Sequence, residues 1–233
     1  MDFYYFCVTF ANSKQKTMKA YDIYVFDLDG TLLDTLDDLT NSVNAALEHA
    51  ALPVHTREEI RSFVGNGVRL LIERSVPGGA THPLFDQVFD FFRQHYLEHG
   101  ADNTRPYPGI MSLLTMLKER GKKIVVVSNK FYDATRSLCR NYFGDLIDVA
   151  VGEREGIRKK PAPDLVNEAF RELGVTRDEA LSAVYIGDSD VDIETALNSG
   201  LPCISVLWGF RDRDFLLVHG ATTFVCSPQE ILE

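Results

Sequence analysis

Two aspartates one residue apart follow a short apolar run, in the segment Phe26-Asp27-Leu28-Asp29-Gly30-Thr31. The run from Ile23 to Phe26 is too short for a typical helix and predicts a buried strand that ends at Asp27. Side chains at positions i and i+2 of an extended segment share a face, so the two carboxylates can address one point beyond the strand end. Carboxylates this close repel each other unless a cation or a proton lies between them. The pair therefore indicates a magnesium site with a nucleophilic carboxylate, and the alternative is an acidic turn after a strand.

The composition and the net charge restrict the class of partner. The chain has 233 residues, of which 45% are apolar and 25% charged, as in a globular protein with one large domain or a domain and a smaller insertion. The formal charge of −10 argues against nucleic acid and anionic membranes as partners. It also implies that a phosphorylated substrate needs a locally positive site, since the overall field repels it.

The cysteines and the first residues favour a cytoplasmic protein with an N-terminal extension. The apolar stretch from Phe3 to Ala11 is shorter than the roughly 20 residues that a membrane helix needs. We interpret residues 1–17 as an extension ahead of an alternative start at Met18, with an extra edge strand as the alternative. Four cysteines are scattered without a CxxC spacing, which favours buried free thiols in a reducing cytoplasm: Cys7, Cys139, Cys203 and Cys226.

The region from Thr35 to about Asn103 has apolar residues at helical spacing and contains no good strand. Two glycine-containing turns, Gly65-Asn66-Gly67 and Pro77-Gly78-Gly79, divide it into separate helices. The proline-rich segment that begins at Arg105 is typical of a hinge. We therefore expect a helical cap over residues 35–104, inserted into a core that comprises residues 18–34 and 105–233. This cap is called the helical insertion below.

Strands and helices alternate after this hinge, which predicts an α/β fold: a doubly wound parallel sheet with a Rossmann-like core. Several of the predicted strands end in a polar or charged residue, so these residues should meet at one edge of the sheet. Taken singly, each has an ordinary interpretation as a turn residue, a solvated charge or a helix cap. The residues at or near these ends are Ser128, Lys160, Asp188 and Asp192.

The order of these features resembles the four motifs of the haloacid dehalogenase-like hydrolase superfamily, from about Met18 to the end of the chain. The motifs are a strand-end Asp-x-Asp, a strand-end Ser, a loop Lys-Pro and Gly-Asp-x-x-x-Asp. The helical insertion is similar to the C1 cap of that superfamily. Secondary motifs resemble those of phosphoglycolate phosphatases: Val64-Gly65-Asn66-Gly67-Val68, Ile72-Glu73-Arg74, Tyr107-Pro108-Gly109, Ser128-Asn129-Lys130 and Trp208-Gly209-Phe210-Arg211.

The resemblance implies a phosphatase that works in two steps. Asp27 would attack phosphorus to form an aspartyl-phosphate, and Asp29 would serve first as the acid and then as the base. Ser128 and Lys160 would stabilise charge on the transferring oxygens. Thr31 would steady the loop or the phosphate.

The resemblance also implies Mg²⁺ as the cofactor. Its ligands would be the carboxylates of Asp27 and Asp188 and the main-chain carbonyl of Asp29. Asp192 would contribute directly or through water. An all-oxygen, partly hydrated set of ligands suits magnesium better than zinc.

The substrate that the resemblance implies is a small phosphorylated metabolite, with 2-phosphoglycolate as the leading candidate. Its carboxylate would need a cationic or N–H-rich site beyond the phosphate. Lys130 and Arg69 are the candidate cations, and the alternative is that Arg69 is a solvated helix residue beside an ordinary turn. The other candidate substrate-binding residues are Gly65, Asn66, Gly67 and Asn129.

Two other functions stay open at this point. A phosphosugar mutase of the same superfamily would use the same nucleophile without releasing free phosphate. A non-enzymatic phospho-acceptor or binding module, akin to a receiver domain, would also combine a strand-end Asp with Mg²⁺ and a Lys. Receivers, however, lack a helical insertion and the second acid of the first motif. We expect a monomer or a homodimer.

Overall fold

The computed structural model describes residues 21–233, so the predicted extension 1–17 lies outside the described residues. The strands, in chain order, are β1 (Ile23–Phe26), β2 (Leu33–Asp34), β3 (Arg105–Pro106), β4 (Lys123–Phe131), β5 (Val149–Glu153), β6 (Ala183–Gly187), β7 (Cys203–Val206) and β8 (Phe224–Val225). The helices are α1 (Leu36–His49), α2 (Arg57–Phe63), α3 (Val68–Ser75), α4 (Phe85–His99), α5 (Ile110–Glu119), α6 (Tyr132–Phe143), α7 (Asp164–Leu173), α8 (Arg177–Ala180), α9 (Asp190–Asn198) and α10 (Arg213–Val218). No helix in this described part of the chain is long and apolar enough to cross a membrane.

Six strands form one parallel sheet in the order β5-β4-β1-β6-β7-β8. The chain moves from β1 to one side and later returns to the other, so β1 lies at the topological switch point where α/β proteins bind ligands. Phe26 is in register with Val126 of β4 and Ile186 of β6. The residues after these three strands therefore emerge side by side. The predicted doubly wound parallel sheet is confirmed.

Alternate residues of the central strands pack into apolar clusters on opposite faces of the sheet. Tyr24 and Phe26 of β1 face one cluster, to which α5 and α6 contribute. Ile23 and Val25 face the other, together with residues of α7 and α9. Because both faces are covered, the strands are continuous apolar runs, as expected for a parallel sheet.

The helices α1 to α4 pack around an apolar cluster of their own, which includes Val43, Ile72 and Phe92. Phe210, from the loop after β7, is buried in the same cluster and joins it to the sheet. Antiparallel pairing of β2 and β3 brings the chain out of the sheet domain and back at one place. The predicted helical insertion, residues 35–104, contains these four helices.

Asp38, on the first turn of α1, fastens the return segment of the chain. Its carboxylate accepts hydrogen bonds from the main-chain N–H groups of Asn103 and Thr104, at 2.9 and 2.8 Å. The Asn103 amide and the Thr104 hydroxyl also donate to it, each at 2.8 Å. Burial opposes ionisation of Asp38, but these hydrogen bonds lower its pKa below the ordinary value. The ionised carboxylate therefore stabilises the connection between the insertion and the sheet domain.

We expect Asp38→Ala to lower the free energy of unfolding by about 3 kcal/mol, since it leaves several buried donors of Asn103 and Thr104 without an acceptor. Glu48→Ala, at an exposed position of the same helix, is the matched control. Because the folded-state pKa of Asp38 is lowered, its stabilisation is present above about pH 4 and is lost as the pH falls. Urea unfolding of both variants at neutral and acid pH measures the effect. Equal stability of the two variants would contradict this role.

Candidate active site

Asp27 is the first residue after β1 and is 9% exposed at the edge of the sheet. One oxygen of its carboxylate, Oδ1, accepts a hydrogen bond from the Leu28 N–H at 2.7 Å. The same oxygen lies 2.9 Å from Nζ of Lys160. Burial and then the nearby Asp192 carboxylate raise the pKa of Asp27 well above its ordinary value. Lys160 is the positive charge that opposes this effect.

Asp188 follows β6 and lies beside Asp27, at 1% exposure. The Thr31 hydroxyl donates to its Oδ1 at 3.1 Å, and the Phe210 N–H donates to its Oδ2 at 2.7 Å. Gly30 and Gly209 flank it so closely that a Cβ at either position would come within 2.5 Å of the Asp188 side chain. Glycine at both positions thus leaves room for a carboxylate in a fixed orientation.

Asp192 is fully buried and its two oxygens have separate partners. Oδ1 accepts from Lys160 Nζ at 2.8 Å and from the Tyr185 hydroxyl at 3.2 Å. Oδ2 accepts from the Ser189 N–H and hydroxyl, at 3.1 and 2.6 Å, in a capping box that starts α9. Burial by itself lowers the pKa of Lys160, but Asp192 and Asp27 raise it well above the ordinary value. Asp192 therefore positions the Lys160 ammonium beside Asp27.

The donor set fits a divalent cation. Asp27, Asp188 and Asp192 each offer a carboxylate oxygen, and these oxygens lie within 4.8 Å of one another. Lys160 neutralises one of these three buried charges and leaves two uncompensated. Burial, and then Asp192, accordingly raise the pKa of Asp188 to about 7. Hard oxygen donors with two surplus negative charges match Mg²⁺, which prefers oxygen ligands.

Asp29 makes an ion pair on the side of the pocket that faces the helical insertion. Its carboxylate oxygens lie 2.9 and 3.1 Å from Nζ of Lys130. The same ammonium donates to the hydroxyl of Tyr96, on α4, at 2.8 Å and lies over its ring. The helical insertion thus reaches the predicted acid/base residue through one lysine. Lys130, predicted to meet the substrate carboxylate, has Asp29 as its partner.

Ser128 and Asn129 follow the aliphatic run of β4 and are both buried. The Ser128 oxygen accepts the Lys130 N–H at 3.2 Å, and its own proton remains available to an oxygen in the pocket. The Asn129 amide bonds both main-chain groups of Lys160, its N–H at 2.8 Å and its carbonyl at 3.0 Å. Asn129 therefore holds the loop that carries the ammonium.

The pocket between the sheet edge and the helical insertion has a volume of about 60 Å³, which has room for about four to five water-sized groups. Gly65 and Gly67 line it from the insertion. Asn66 and Arg69 line an adjacent groove instead. Arg69 is exposed, and its guanidinium lies 5.0 Å from the centre of the Phe85 ring. The first turn of α3 directs the Arg69 side chain toward α4, and its contact with the substrate stays a prediction.

Sequence reasoning missed three side chains at this site. Tyr96 and Tyr185 hydrogen-bond the two lysines, and Arg211 lines the pocket. Both tyrosines occupy positions that the sequence marks only as apolar. Arg211 ends one of the secondary motifs, which could have singled it out.

Known proteins have sequences and structures similar to those of this chain. Residues 24–206 match the family model of the haloacid dehalogenase-like hydrolases. A phosphoglycolate phosphatase from Chromobacterium violaceum is 33% identical over 221 residues, which cover 93% of this chain and 97% of that protein. The crystal structure of a candidate phosphoglycolate phosphatase from Lactobacillus delbrueckii subsp. bulgaricus has a TM-score of 0.85 at 38% identity, and covers 92% of this chain and 98% of that chain. A CbbY variant from Rhodobacter sphaeroides in complex with xylulose 1,5-bisphosphate has a TM-score of 0.70 at 25% identity, with 88% and 93% covered.

The family model and the relatives cover the sheet together with the helical insertion. The resemblance drawn from the four motifs is therefore confirmed at the level of the family and of its reaction class. The chain belongs to the haloacid dehalogenase-like hydrolases and is a phosphoric monoester hydrolase similar to phosphoglycolate phosphatases.

Proposed function

We propose that this phosphatase hydrolyses 2-phosphoglycolate with the help of Mg²⁺ and through an aspartyl-phosphate on Asp27. The observation that carries the proposal is the group of three carboxylates, Asp27, Asp188 and Asp192, gathered around one ammonium at the switch point of the sheet. The names of the relatives support the substrate.

The first step transfers the phosphoryl group to the protein. A carboxylate oxygen of Asp27 attacks phosphorus, and the bond between phosphorus and the glycolate oxygen breaks. Asp29, two residues on, must enter this step protonated, with its ion pair to Lys130 opened, and gives that proton to the departing alkoxide. In the second step Asp29 takes a proton from water as that water attacks phosphorus. Phosphate leaves, and both aspartates return to their starting states.

The surroundings stabilise charge on the transferring group. The Lys160 ammonium, 2.9 Å from Asp27, lies where a phosphoryl oxygen on that carboxylate can reach it. The Ser128 hydroxyl is a second donor at the end of the neighbouring strand. A bound Mg²⁺ would supply positive charge to the same oxygens, held by Asp27, Asp188 and the Asp29 carbonyl. Asp192, with both oxygens hydrogen-bonded, would act on a bound cation through its neighbours or through water.

A second candidate substrate is a sugar bisphosphate. The observation in its favour is the CbbY complex with xylulose 1,5-bisphosphate on the same fold. A phosphosugar mutase stays a third possibility, separated from the others by whether free phosphate is released. Phosphate release across a panel of carboxylated, sugar and neutral monoesters distinguishes the three.

We also propose that the protein acts in the cytoplasm as a monomer or a homodimer. Cys139 is buried and Cys203 is half-buried. Burial raises the pKa of both thiols to about 12, so neither is a reactive thiolate at neutral pH.

The nucleophile is tested by substitution. Asp27→Asn replaces a carboxylate by an amide of nearly the same shape, so the fold should persist while kcat falls by at least about a thousandfold. Asp29→Asn should lower kcat by about a hundredfold to ten-thousandfold, the range for a lost proton transfer. Phosphate release measures both. Activity of Asp27→Asn near that of the natural protein would refute the assignment.

Metal dependence provides a test that does not rest on activity alone. EDTA should abolish phosphate release, Mg²⁺ should restore it, and Ca²⁺ should not, because its looser coordination misplaces the phosphoryl group. Because the folded-state pKa values of Asp27 and Asp188 are raised, the metal-free protein loses stability as the pH rises through them. The melting temperature in EDTA should therefore fall between about pH 5 and about pH 8, and Mg²⁺ should raise it more at the higher pH. Full activity in EDTA, or a Mg²⁺ effect that is independent of pH, would contradict the proposed site.

A further inference from the structure

Arg211, in the loop after β7, has no role in the mechanism above, yet it lines the same pocket as Asp27. Three cations line this pocket within residues 21–233: Lys130, Lys160 and Arg211. The two lysines are paired with aspartates. Arg211 forms no ion pair with any carboxylate of the described chain, so its charge is available to an anion that enters the pocket.

The helical insertion holds this guanidinium in place. Nη1 of Arg211 donates to the Arg61 carbonyl at 2.9 Å, and Nη2 donates to the carbonyls of Ser62 and Val64 at 3.2 and 2.6 Å. A reciprocal contact comes from Arg61 of the insertion, whose guanidinium donates to the carbonyls of Gly209 and Phe210, in the loop after β7, at 3.1 and 2.7 Å. Such a fixed side chain loses little further freedom when a ligand binds.

One nitrogen of Arg211 has no hydrogen-bond partner among the described residues. Its Nε is buried and, within residues 21–233, has no acceptor. A buried N–H without an acceptor costs free energy unless a ligand supplies one. Carbonyl oxygens satisfy the other two nitrogens but do not neutralise the charge. The group therefore lacks both an acceptor and a directly paired counter-charge.

Charges of both signs lie around Arg211. Arg61 and Arg74 lie near Arg211, and Arg74 donates to the Phe63 carbonyl at 2.7 Å, beside the segment that Arg211 contacts. Burial has the largest effect on the pKa of Arg211 and lowers it. Asp190 and Asp188 oppose this effect, and the like charges of Arg74 and Arg61 add to it. A chain with a formal charge of −10 needs cations that line its pocket, such as Arg211, to admit an anionic substrate.

We propose that Arg211 is a specificity-determining residue that binds a second anionic group of the substrate, a carboxylate one or two bonds beyond the ester oxygen. The inference rests on the proposed hydrolysis of a small phosphate monoester and adds the residue that selects among such esters. It replaces Arg69, which lies outside the pocket. Lys130 is not assigned to the substrate carboxylate, because its ammonium is bound to Asp29 and Tyr96.

The test compares 2-phosphoglycolate with ethyl phosphate, which has the same ester oxygen but no carboxylate. Arg211→Met should lower kcat/KM for 2-phosphoglycolate, relative to ethyl phosphate, by about tenfold to a hundredfold, mainly through KM. Arg61→Met is the matched control, because it breaks the same contact between insertion and loop without removing a charge that lines the pocket. It should affect both esters equally. Arg69→Met should leave the ratio of kcat/KM for 2-phosphoglycolate to kcat/KM for ethyl phosphate unchanged.

Inhibition provides a readout that is independent of turnover. In the natural protein, 3-phosphonopropionate should inhibit more strongly than propylphosphonate, which lacks the carboxylate, and Arg211→Met should remove that difference. Arg211→Lys should restore part of it, and thermal melting confirms that each variant is folded. Arg211→Met could instead weaken the binding of both inhibitors equally and lower kcat/KM for both esters equally, as expected for Arg61→Met. In that case the residue is only structural and the inference is wrong. If the natural protein hydrolyses neither ester, the proposed function fails, whereas an unchanged ratio in Arg211→Met refutes only the assignment of Arg211.

Discussion

The ion pairs that Lys160 makes with Asp27 and Asp192 are the interaction on which the rest of the site depends. Two neighbouring strands, β1 and β6, must end side by side to gather the carboxylates of Asp27, Asp188 and Asp192, and burial makes their mutual repulsion strong. One ammonium, 2.9 and 2.8 Å from two of them, offsets part of that repulsion. The remaining negative charge is what the proposed Mg²⁺ would neutralise. Stability and chemistry at this edge of the sheet therefore have one electrostatic origin.

The helical insertion is joined to this charged edge at two places. Tyr96 hydrogen-bonds Lys130, which in turn holds the carboxylate of Asp29. On the other side, Arg61 binds the carbonyls of Gly209 and Phe210, and the Phe210 N–H donates to Asp188. Each contact reaches an aspartate of the site through a single intermediate residue. The position of the insertion is thus linked both to the predicted acid/base residue and to a predicted metal ligand.

Local features and the consequences of sheet topology are predictable from the sequence. Asp27, Ser128 and Asp188 are recognisable because each comes after a short apolar strand, and parallel strands necessarily bring their ends to one edge. Contacts that depend on how helices rotate and pack are not predictable in this way. The glycine-rich turn beside Arg69 predicts that this residue enters the pocket, but its side chain lies against α4, while Arg211, from a distant loop, lines the pocket. Tyr96 gives no signal at all, since an apolar helix position and a hydrogen-bonding one look the same in sequence.

The proposed mechanism passes the phosphoryl group through Asp27. The most direct measurement is to mix the Mg²⁺-loaded protein with 2-phosphoglycolate, quench with acid within the first turnover, and locate the phosphoryl group by peptide mass spectrometry. We expect an alkali-labile phosphoryl group on the peptide that contains Asp27, and none on that peptide in Asp27→Asn. A burst of free phosphate without any labelled peptide, or a label on another residue, would contradict it.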